Sequence, residues 1–229
     1  MRTRLLAALA AALLLAGCQG DSGGKKADTS ELAKRLSAAR TTIDDAETVN
    51  ISLSTPSLPD GVTGLLSATG QGNHTPAFKG KVKVVTGGST LTADVVSADG
   101  TLKAKTSFSP LYLKIDPASL KAPDPAALLD AENGITQILE RTKSLKAGKK
   151  SRDGSDVLTS ITGTLPGSVV RTIIPSADDA SIFTVKYRLT DKDELRDATL
   201  YGPFYPSGGD VAYTVKLSTS DKPVTIKVP

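Results

Sequence analysis

The chain has 229 residues and a formal charge of +4 at pH 7, and it contains 1 cysteine and 1 histidine. These counts exclude a disulfide within the chain and a metal site built from several cysteines or histidines. Arg2 and Arg4 belong to the N-terminal leader, so the chain after the leader carries +2. That charge is spread without a dense basic block, which excludes an extended nucleic-acid-binding surface.

The first residues have the order of a bacterial secretory signal. Two arginines precede an apolar run from Leu5 to Ala16, which is shorter than the roughly 20 apolar residues of a membrane-spanning helix. The run ends at Leu15-Ala16-Gly17-Cys18, which resembles the lipobox of bacterial lipoproteins. We therefore expect residues 1–17 to be a signal peptide and Cys18 to be lipidated with diacylglycerol. The alternative is a secreted protein that keeps Cys18 as a thiol.

Composition divides the remaining chain into a tether and one domain. Residues 18–27 are rich in Gly, Ser and Lys, which is typical of a flexible tether. Residues 28–229 suffice for one domain with a sizeable core. Two or three acyl chains hold a protein stably at a bilayer, so we expect the domain to lie outside the cytoplasmic membrane, anchored to its outer face.

An amphipathic helix is predicted at the start of the domain. Asp28 offers an N-cap oxygen, and Leu32, Leu36, Ala39 and Ile43 follow at helical spacing. These four side chains are expected to face the core.

From Glu47 the apolar period changes to two, which predicts strands with one polar face. The predicted strands contain Val49–Leu53, Val82–Val84, Leu91–Val95, Leu102–Phe108, Leu111–Ile115, Val157–Ile161, Phe183–Leu189, Arg196–Tyr201, Val211–Leu217 and Val224–Val228. Turns at Gly87-Gly88 and Asp99-Gly100 indicate hairpins, so the sheet is expected to be antiparallel.

Two further helical segments interrupt the strands. One begins near Pro123-Asp124-Pro125 with Asp124 as its cap and breaks at Asn133-Gly134. The other spans Val169–Ile174 and ends at Pro175. Between them, Lys149–Arg152 is interpreted as an exposed hairpin loop, with contact to anionic lipid headgroups as the alternative.

About ten strands at ~4.8 Å spacing would make a sheet about 45 to 50 Å wide. Three helices, each ~10 Å across, cannot cover it when flat, so the sheet must curl. A curled sheet with helices in its mouth can enclose an apolar ligand cavity. The alternative is that Leu, Ile and Val side chains fill that space, and the periodicity does not distinguish the two.

Several segments resemble a known family. They are Asp99–Lys105, Pro110–Ala118, Ala122–Asp130, Ile161–Pro166 and Lys222–Lys227. With the lipobox, these segments are similar to the LppX/LprG-type (LppX_LprAFG) lipoproteins of actinobacteria.

The resemblance implies an α+β domain, in which helices on the concave face of a half-barrel enclose an apolar cavity. It also implies binding of multi-acylated lipids or glycolipids, such as phosphatidylinositol mannosides, lipoarabinomannan or phthiocerol-type waxes, and their carriage within the envelope. A lipid-exporting permease is an implied partner, and we expect a monomer without a cofactor.

The candidate lipid-binding residues are the apolar positions expected to face the cleft. They are Val82, Val84, Leu91, Val95, Leu102, Phe108, Leu128, Leu129, Ile135, Ile138, Leu139, Val169, Val170 and Ile173. Each could instead be an ordinary core residue.

An enzyme is not expected, because the sequence contains no nucleophile elbow, phosphate-binding loop or histidine cluster. His74 lies in a predicted loop, and the acidic pairs at 178–179 and 191–194 are interpreted as solvated turns. The alternative function is an envelope scaffold that binds another protein and carries no lipid.

Overall fold

The structure is a computed structural model that describes residues 28–118, 122–206 and 208–229. The predicted signal peptide, Cys18 and the tether lie outside the described residues. The described residues form one antiparallel sheet of eleven strands, with helices packed on its inner face.

The sheet consists of two meanders joined at their centre. The strands are β1 (Thr48–Ser54), β2 (Gly64–Asn73), β3 (Ala77–Thr86), β4 (Ser89–Ala98), β5 (Thr101–Thr106), β6 (Ser109–Ile115), β7 (Lys143–Asp153), β8 (Asp156–Pro166), β9 (Ile182–Leu189), β10 (Leu195–Gly202) and β11 (Val211–Ser220). Their order is β6-β5-β4-β3-β2-β1-β11-β10-β9-β8-β7. Every neighbouring pair is antiparallel, and the pairing of β1 with β11 joins the meanders.

The sheet is curved and open, as the sequence predicted. Its register shifts in four strand pairs, including β2–β3 between Leu65 and Ser67 and β9–β10 between Leu195 and Asp197. Such irregularities increase twist and bend the strand that carries them. β6 and β7 remain at opposite ends of the strand order, each with one unpaired side.

The helices are α1 (Thr29–Asp44), a 3-10 helix (Ala127–Leu129), α2 (Gln137–Arg141) and α3 (Gly167–Ile173). The Asp28 carboxylate accepts a hydrogen bond from the Ser30 amide at 3.0 Å, which confirms the predicted start of α1. The predicted apolar stripe of α1 is buried. The break predicted near Asn133 is also present, because turns separate the 3-10 helix from α2.

Strand β2 has no counterpart among the predicted strands. Its sequence, Gly64–Asn73, contains three glycines and few β-branched residues, so the alternation signal is weak. The glycines have a packing role, since a Cβ on Gly70 would lie 2.4 Å from the Phe78 ring and one on Gly72 would lie 2.2 Å from Leu129. The missing side chains let Phe78 and Leu129 approach the sheet closely.

The prediction of a hairpin loop at Lys149–Arg152 was wrong. These residues belong to β7, and the turn lies at Gly154-Ser155. Lysines interrupt the apolar alternation because β7 is an edge strand, where charged side chains are favoured.

The strand predicted at Val224–Val228 was also wrong, because residues 221–229 form no regular structure. This segment crosses the outer face of the sheet instead. Asn73 donates to the Val224 carbonyl at 3.0 Å and Lys103 to the Pro229 carbonyl at 2.5 Å. The apolar alternation in this segment therefore arises because every second side chain packs against the sheet. The segment itself pairs with no strand.

Candidate functional site

The space between the inner face and the helices is filled mainly by side chains. Phe183 and Phe204 are fully buried, with ring centroids 4.9 Å apart in an edge-to-face arrangement. The Phe204 ring meets Tyr213 in the same way at 5.0 Å. These rings contribute aromatic packing to the core, whereas Phe108 was the only aromatic residue among the sequence-based candidates.

A small cavity of about 10 Å³ remains beneath α1 and α2. Its lining residues come from α1, the segment before α2, α2 itself and the inner face of β10 and β11. They are Ile43, Ile135, Thr136, Ile138, Leu139, Leu195, Ala198, Val215 and Leu217. A volume near 10 to 15 Å³ accommodates about one water molecule, so this cavity does not hold an acyl chain as it stands.

His74 ties the helical cover to the sheet. It lies in the β2–β3 turn, with Nδ1 2.7 Å from the Leu129 carbonyl oxygen and Nε2 2.8 Å from the Ile43 carbonyl oxygen. Carbonyl oxygens only accept hydrogen bonds. The ring therefore bonds to both when both nitrogens are protonated, and to one of them when it is neutral. The predicted loop position is correct, but the side chain is partly buried and holds α1 beside the 3-10 helix.

Two arginines of α1 make further polar contacts. Arg40 pairs with Asp44 at 2.9 Å, also pairs with Glu140 of α2, and donates to the Ala131 carbonyl at 2.9 Å. Arg35 reaches the β9–β10 turn, where it pairs with Asp193 at 2.5 Å. These contacts fix α1 across one end of the sheet and attach it to α2.

A buried hydroxyl pair fixes the end of α2. The Tyr187 hydroxyl donates to the Ile138 carbonyl at 3.1 Å and lies 2.7 Å from Thr142 Oγ1. Burial raises the pKa of Tyr187 above its usual value, because an ionised phenolate would lose its hydration. Outside this pair, the cover meets the inner face mainly through apolar contacts.

The structure brings most of the candidate residues into or against one core cluster. Buried in it are Val95, Leu102, Leu129, Ile138, Leu139, Val170 and Ile173, and packed against it are Val82, Leu128, Ile135 and Val169. Val84 and Leu91 are half-buried outside this cluster. Phe108 was predicted to share a strand face with Leu102, but β5 ends at Thr106 and Phe108 is 87 % exposed in the following turn.

Only Ile135, Ile138 and Leu139 among the candidates line the small cavity. The sequence analysis left out Ile43, Leu195, Ala198, Val215 and Leu217, which line its other sides. Apart from Leu195 and Ala198, these positions were recognised as apolar faces of predicted elements. Their assignment to the cavity required knowledge that β10 and β11 lie at the centre of the sheet.

A second, open cleft of about 540 Å³ lies on the polar outer face of strands β1 to β6. Lys79, Lys81, Lys105, Asp94 and Tyr112 contribute to its lining. Asp94 pairs with Lys81 and lies 3.8 Å from Lys105. The hydrogen bond from Lys81 lowers the pKa of Asp94, so this carboxylate stays charged within a basic surface.

Within the described residues, no helix is both long and apolar enough to cross a membrane. The fold has clear relatives among solved structures. LprF from Mycobacterium bovis matches with a TM-score of 0.68 and 16 % identity over 88 % of this chain and 98 % of its own. The Mycobacterium tuberculosis lipoprotein LppX matches with a TM-score of 0.62 and 18 % identity over 87 % and 100 %.

These likenesses place the molecule in the class of open, curved antiparallel sheets with helices on one face. The family model described as LppX_LprAFG lipoprotein matches residues 31–226. The chain therefore belongs to the LppX_LprAFG lipoprotein family. No curated protein sequence matches it.

Proposed function

We propose that this lipoprotein binds the acyl chains of a multi-acylated lipid or glycolipid between its helices and the inner face of the sheet, and carries the lipid within the cell envelope. The observation that carries the proposal is the two-layer interior. A cover of helices packs on an apolar sheet face, and the small cavity between them is lined by eight apolar residues and one threonine.

Lipid uptake in this mechanism begins with movement of the cover. The cavity is too small for an acyl chain, so α1 and α2 must move away from β10 and β11. Most contacts to be broken are apolar, and an acyl chain replaces them with contacts of the same kind. Exposed methylenes cost about 0.8 kcal/mol each in water, so a chain that enters this space is strongly stabilised.

The remaining features of the proposal concern attachment and partners. Acylated Cys18 would hold the domain at the outer face of the cytoplasmic membrane, with residues 18–27 as the tether. The polar head of the cargo would remain in water while its chains are buried. A lipid-exporting permease would supply or receive the cargo, and the carrier would act as a monomer without a cofactor or catalytic residues.

Gentle-ionisation mass spectrometry of the chain from Gln19 onward, purified from an actinobacterial host, tests the proposal. The expected result is a stoichiometric acylated species that organic extraction releases. Ala198→Leu would place a larger side chain on the cavity floor, since Ala198 is buried beneath α2. We expect this variant to retain less lipid than the parent chain.

Ala212→Leu provides the matched control. Ala212 lies on β11 beside Tyr213 and points to the opposite face of the sheet. The same substitution there should leave lipid retention unchanged, and circular dichroism would verify that both variants fold. A mass without ligand that stays unchanged after incubation with lipid vesicles would contradict the proposed function.

The second candidate function is a protein-binding envelope scaffold. Two observations favour it: the cavity beneath α1 and α2 is small, and large apolar side chains are exposed on the β5–β6 hairpin. The mass measurement separates the two functions, because a scaffold has no need to retain an acylated lipid.

A further inference from the structure

The hairpin formed by β5 and β6 exposes three large apolar side chains. Phe108 in its turn is 87 % exposed, Leu111 is 70 % exposed and Leu113 is 55 % exposed. In the rest of the described chain, only Ile182 and Tyr201 are exposed to a similar degree among large apolar residues. The exposed apolar surface is therefore concentrated on one hairpin at one end of the sheet.

Basic residues are concentrated on the same hairpin, where Lys103 and Lys114 pair on the face opposite Leu113, and on the opposite end strand. We define the free edges of the sheet as residues 101–115, which contain β5 and β6, and β7 (Lys143–Asp153). Their charged residues are Lys103, Lys105, Lys114, Lys143, Lys146, Lys149, Lys150, Arg152 and Asp153. The free edges thus carry +7, whereas the rest of residues 28–229 carries −6.

Most of these charges are available to a partner. All five basic residues of β7 are exposed, and none forms an ion pair with a carboxylate in the described part of the chain. Lys114 on β6 is also exposed. Lys105 is only weakly engaged, at 3.8 Å from Asp94 and with its ammonium 5.1 Å from the centre of the Tyr112 ring.

Protection of the sheet edges explains the lysines but not the exposed apolar side chains. Charged side chains on an edge strand prevent pairing with another sheet. Protection does not explain Phe108, Leu111 and Leu113, because exposed apolar residues at an edge promote association. A partner that is both apolar and anionic accounts for both features.

We propose that the free edges dock on an anionic lipid bilayer. Phe108 and Leu111 enter the boundary between headgroups and acyl chains, and the lysines contact the headgroups. Aromatic and aliphatic side chains beside basic residues are typical of peripheral membrane attachment. β6 and β7 end the strand order of one open sheet, and docking of both edges would place them on one bilayer surface. Docking requires no bound cargo, and it therefore stands apart from the proposed function.

Vesicle co-sedimentation of the chain from Gln19 onward tests docking without an acyl anchor. The chain from Gln19 onward keeps every described core residue, from Leu32 to Val215. We expect binding to phosphatidylcholine vesicles that contain phosphatidylglycerol, and at least about tenfold weaker binding to phosphatidylcholine alone, because each basic residue gains attraction only at an anionic surface. Added salt should weaken the binding.

Paired variants locate the surface. Phe108→Ser with Leu111→Ser should lower binding to anionic vesicles several-fold, whereas Ile182→Ser, at a site that is 63 % exposed, should not change it. Lys149→Glu with Lys150→Glu should also lower binding, whereas Lys192→Glu in the β9–β10 turn should have little effect.

Two outcomes would overturn the proposal. One is equal binding by the hairpin variant and the parent chain while circular dichroism shows that both are folded. The other is a parent chain that is dimeric by light scattering and becomes monomeric in the hairpin variant, because the hairpin would then bind a second copy. Cargo retention in the mass measurement is scored separately, so loss of docking and loss of lipid binding give different results.

Discussion

Removal of the His74 side chain should loosen the helical cover. His74→Ala deletes the ring that lies 2.7 Å from the Leu129 carbonyl and 2.8 Å from the Ile43 carbonyl. One hydrogen bond is lost if the ring is neutral and two if it is doubly protonated, and each contributes about 0.5–1.5 kcal/mol. The expected loss in the free energy of unfolding is therefore about 0.5 to 3 kcal/mol.

Thermal and urea unfolding measure this loss. For a domain of this size, each kcal/mol lowers Tm by about 2–4 °C. Hydrogen exchange provides the second measurement, because the loss should be local. Amides of α1 and of the residues around the 3-10 helix should exchange faster, while those of β9 and β10 should keep their protection. The variant should also take up lipid from vesicles faster than the parent chain under the proposed function.

A control variant that is destabilised away from the cover helices distinguishes loosening of the cover from general destabilisation. Asp197 is buried on the outer face of β10 and accepts a 2.9 Å hydrogen bond from Arg188, away from the cover helices. Asp197→Ala should lower stability without faster exchange in α1. If His74→Ala exchanges like this control, or if its stability equals that of the parent chain, the proposed attachment by His74 is refuted.

Three further predictions concern packing and ionisation. Gly72→Ala should destabilise the domain by about 1–3 kcal/mol in urea unfolding, the usual cost of overpacking, because the new methyl would lie 2.2 Å from Leu129 and 2.3 Å from the Ala77 carbonyl oxygen. Gly209→Ala, which meets nothing within 4 Å, should be near neutral. Burial raises the pKa of Tyr187, so its stabilisation is complete below the unfolded pKa of about 10 and is lost as pH rises beyond it. Absorbance titration should show Tyr187 ionising only together with unfolding. Tyr187→Phe should lower the amplitude of that step and leave the part due to Tyr213, whose pKa is also raised by burial.

Alternation identified most strands because each has one face on the core and one in water. The exceptions have local physical causes. In β2, glycines replace side chains where Phe78 and Leu129 press against the backbone, so no alternation is visible. In β7, lysines occupy an edge that has no second neighbour. At Val224–Val228, one side of the chain packs on the sheet, which produces alternation without a strand.

The site was predicted less completely than the fold. Periodicity identifies the apolar side of a helix or strand, but it does not show which other element packs against that side. Ile138 and Leu139 were recognised as apolar positions near α2, and they do line the cavity. The opposing Val215 and Leu217 were also recognised as apolar, but their place beneath α1 and α2 depends on the β1–β11 pairing. Phe108 was misplaced because its alternation with Leu102 and Ala104 continues past the residue at which β5 turns.

Under the proposed function, cavity energetics favour a small cavity when no cargo is bound. An empty apolar cavity costs about 24 cal/mol per Å³, so a ligand site of about 300 Å³, at the small end of known pockets, would cost about 7 kcal/mol. That is comparable with the whole stability of a typical domain, about 5–15 kcal/mol. Collapse of α1 and α2 onto β10 and β11 avoids this cost, and a lipid that re-opens the space must supply contacts equal to those it displaces. Under the proposed function, the chain should therefore bind long acyl chains well and short ones poorly.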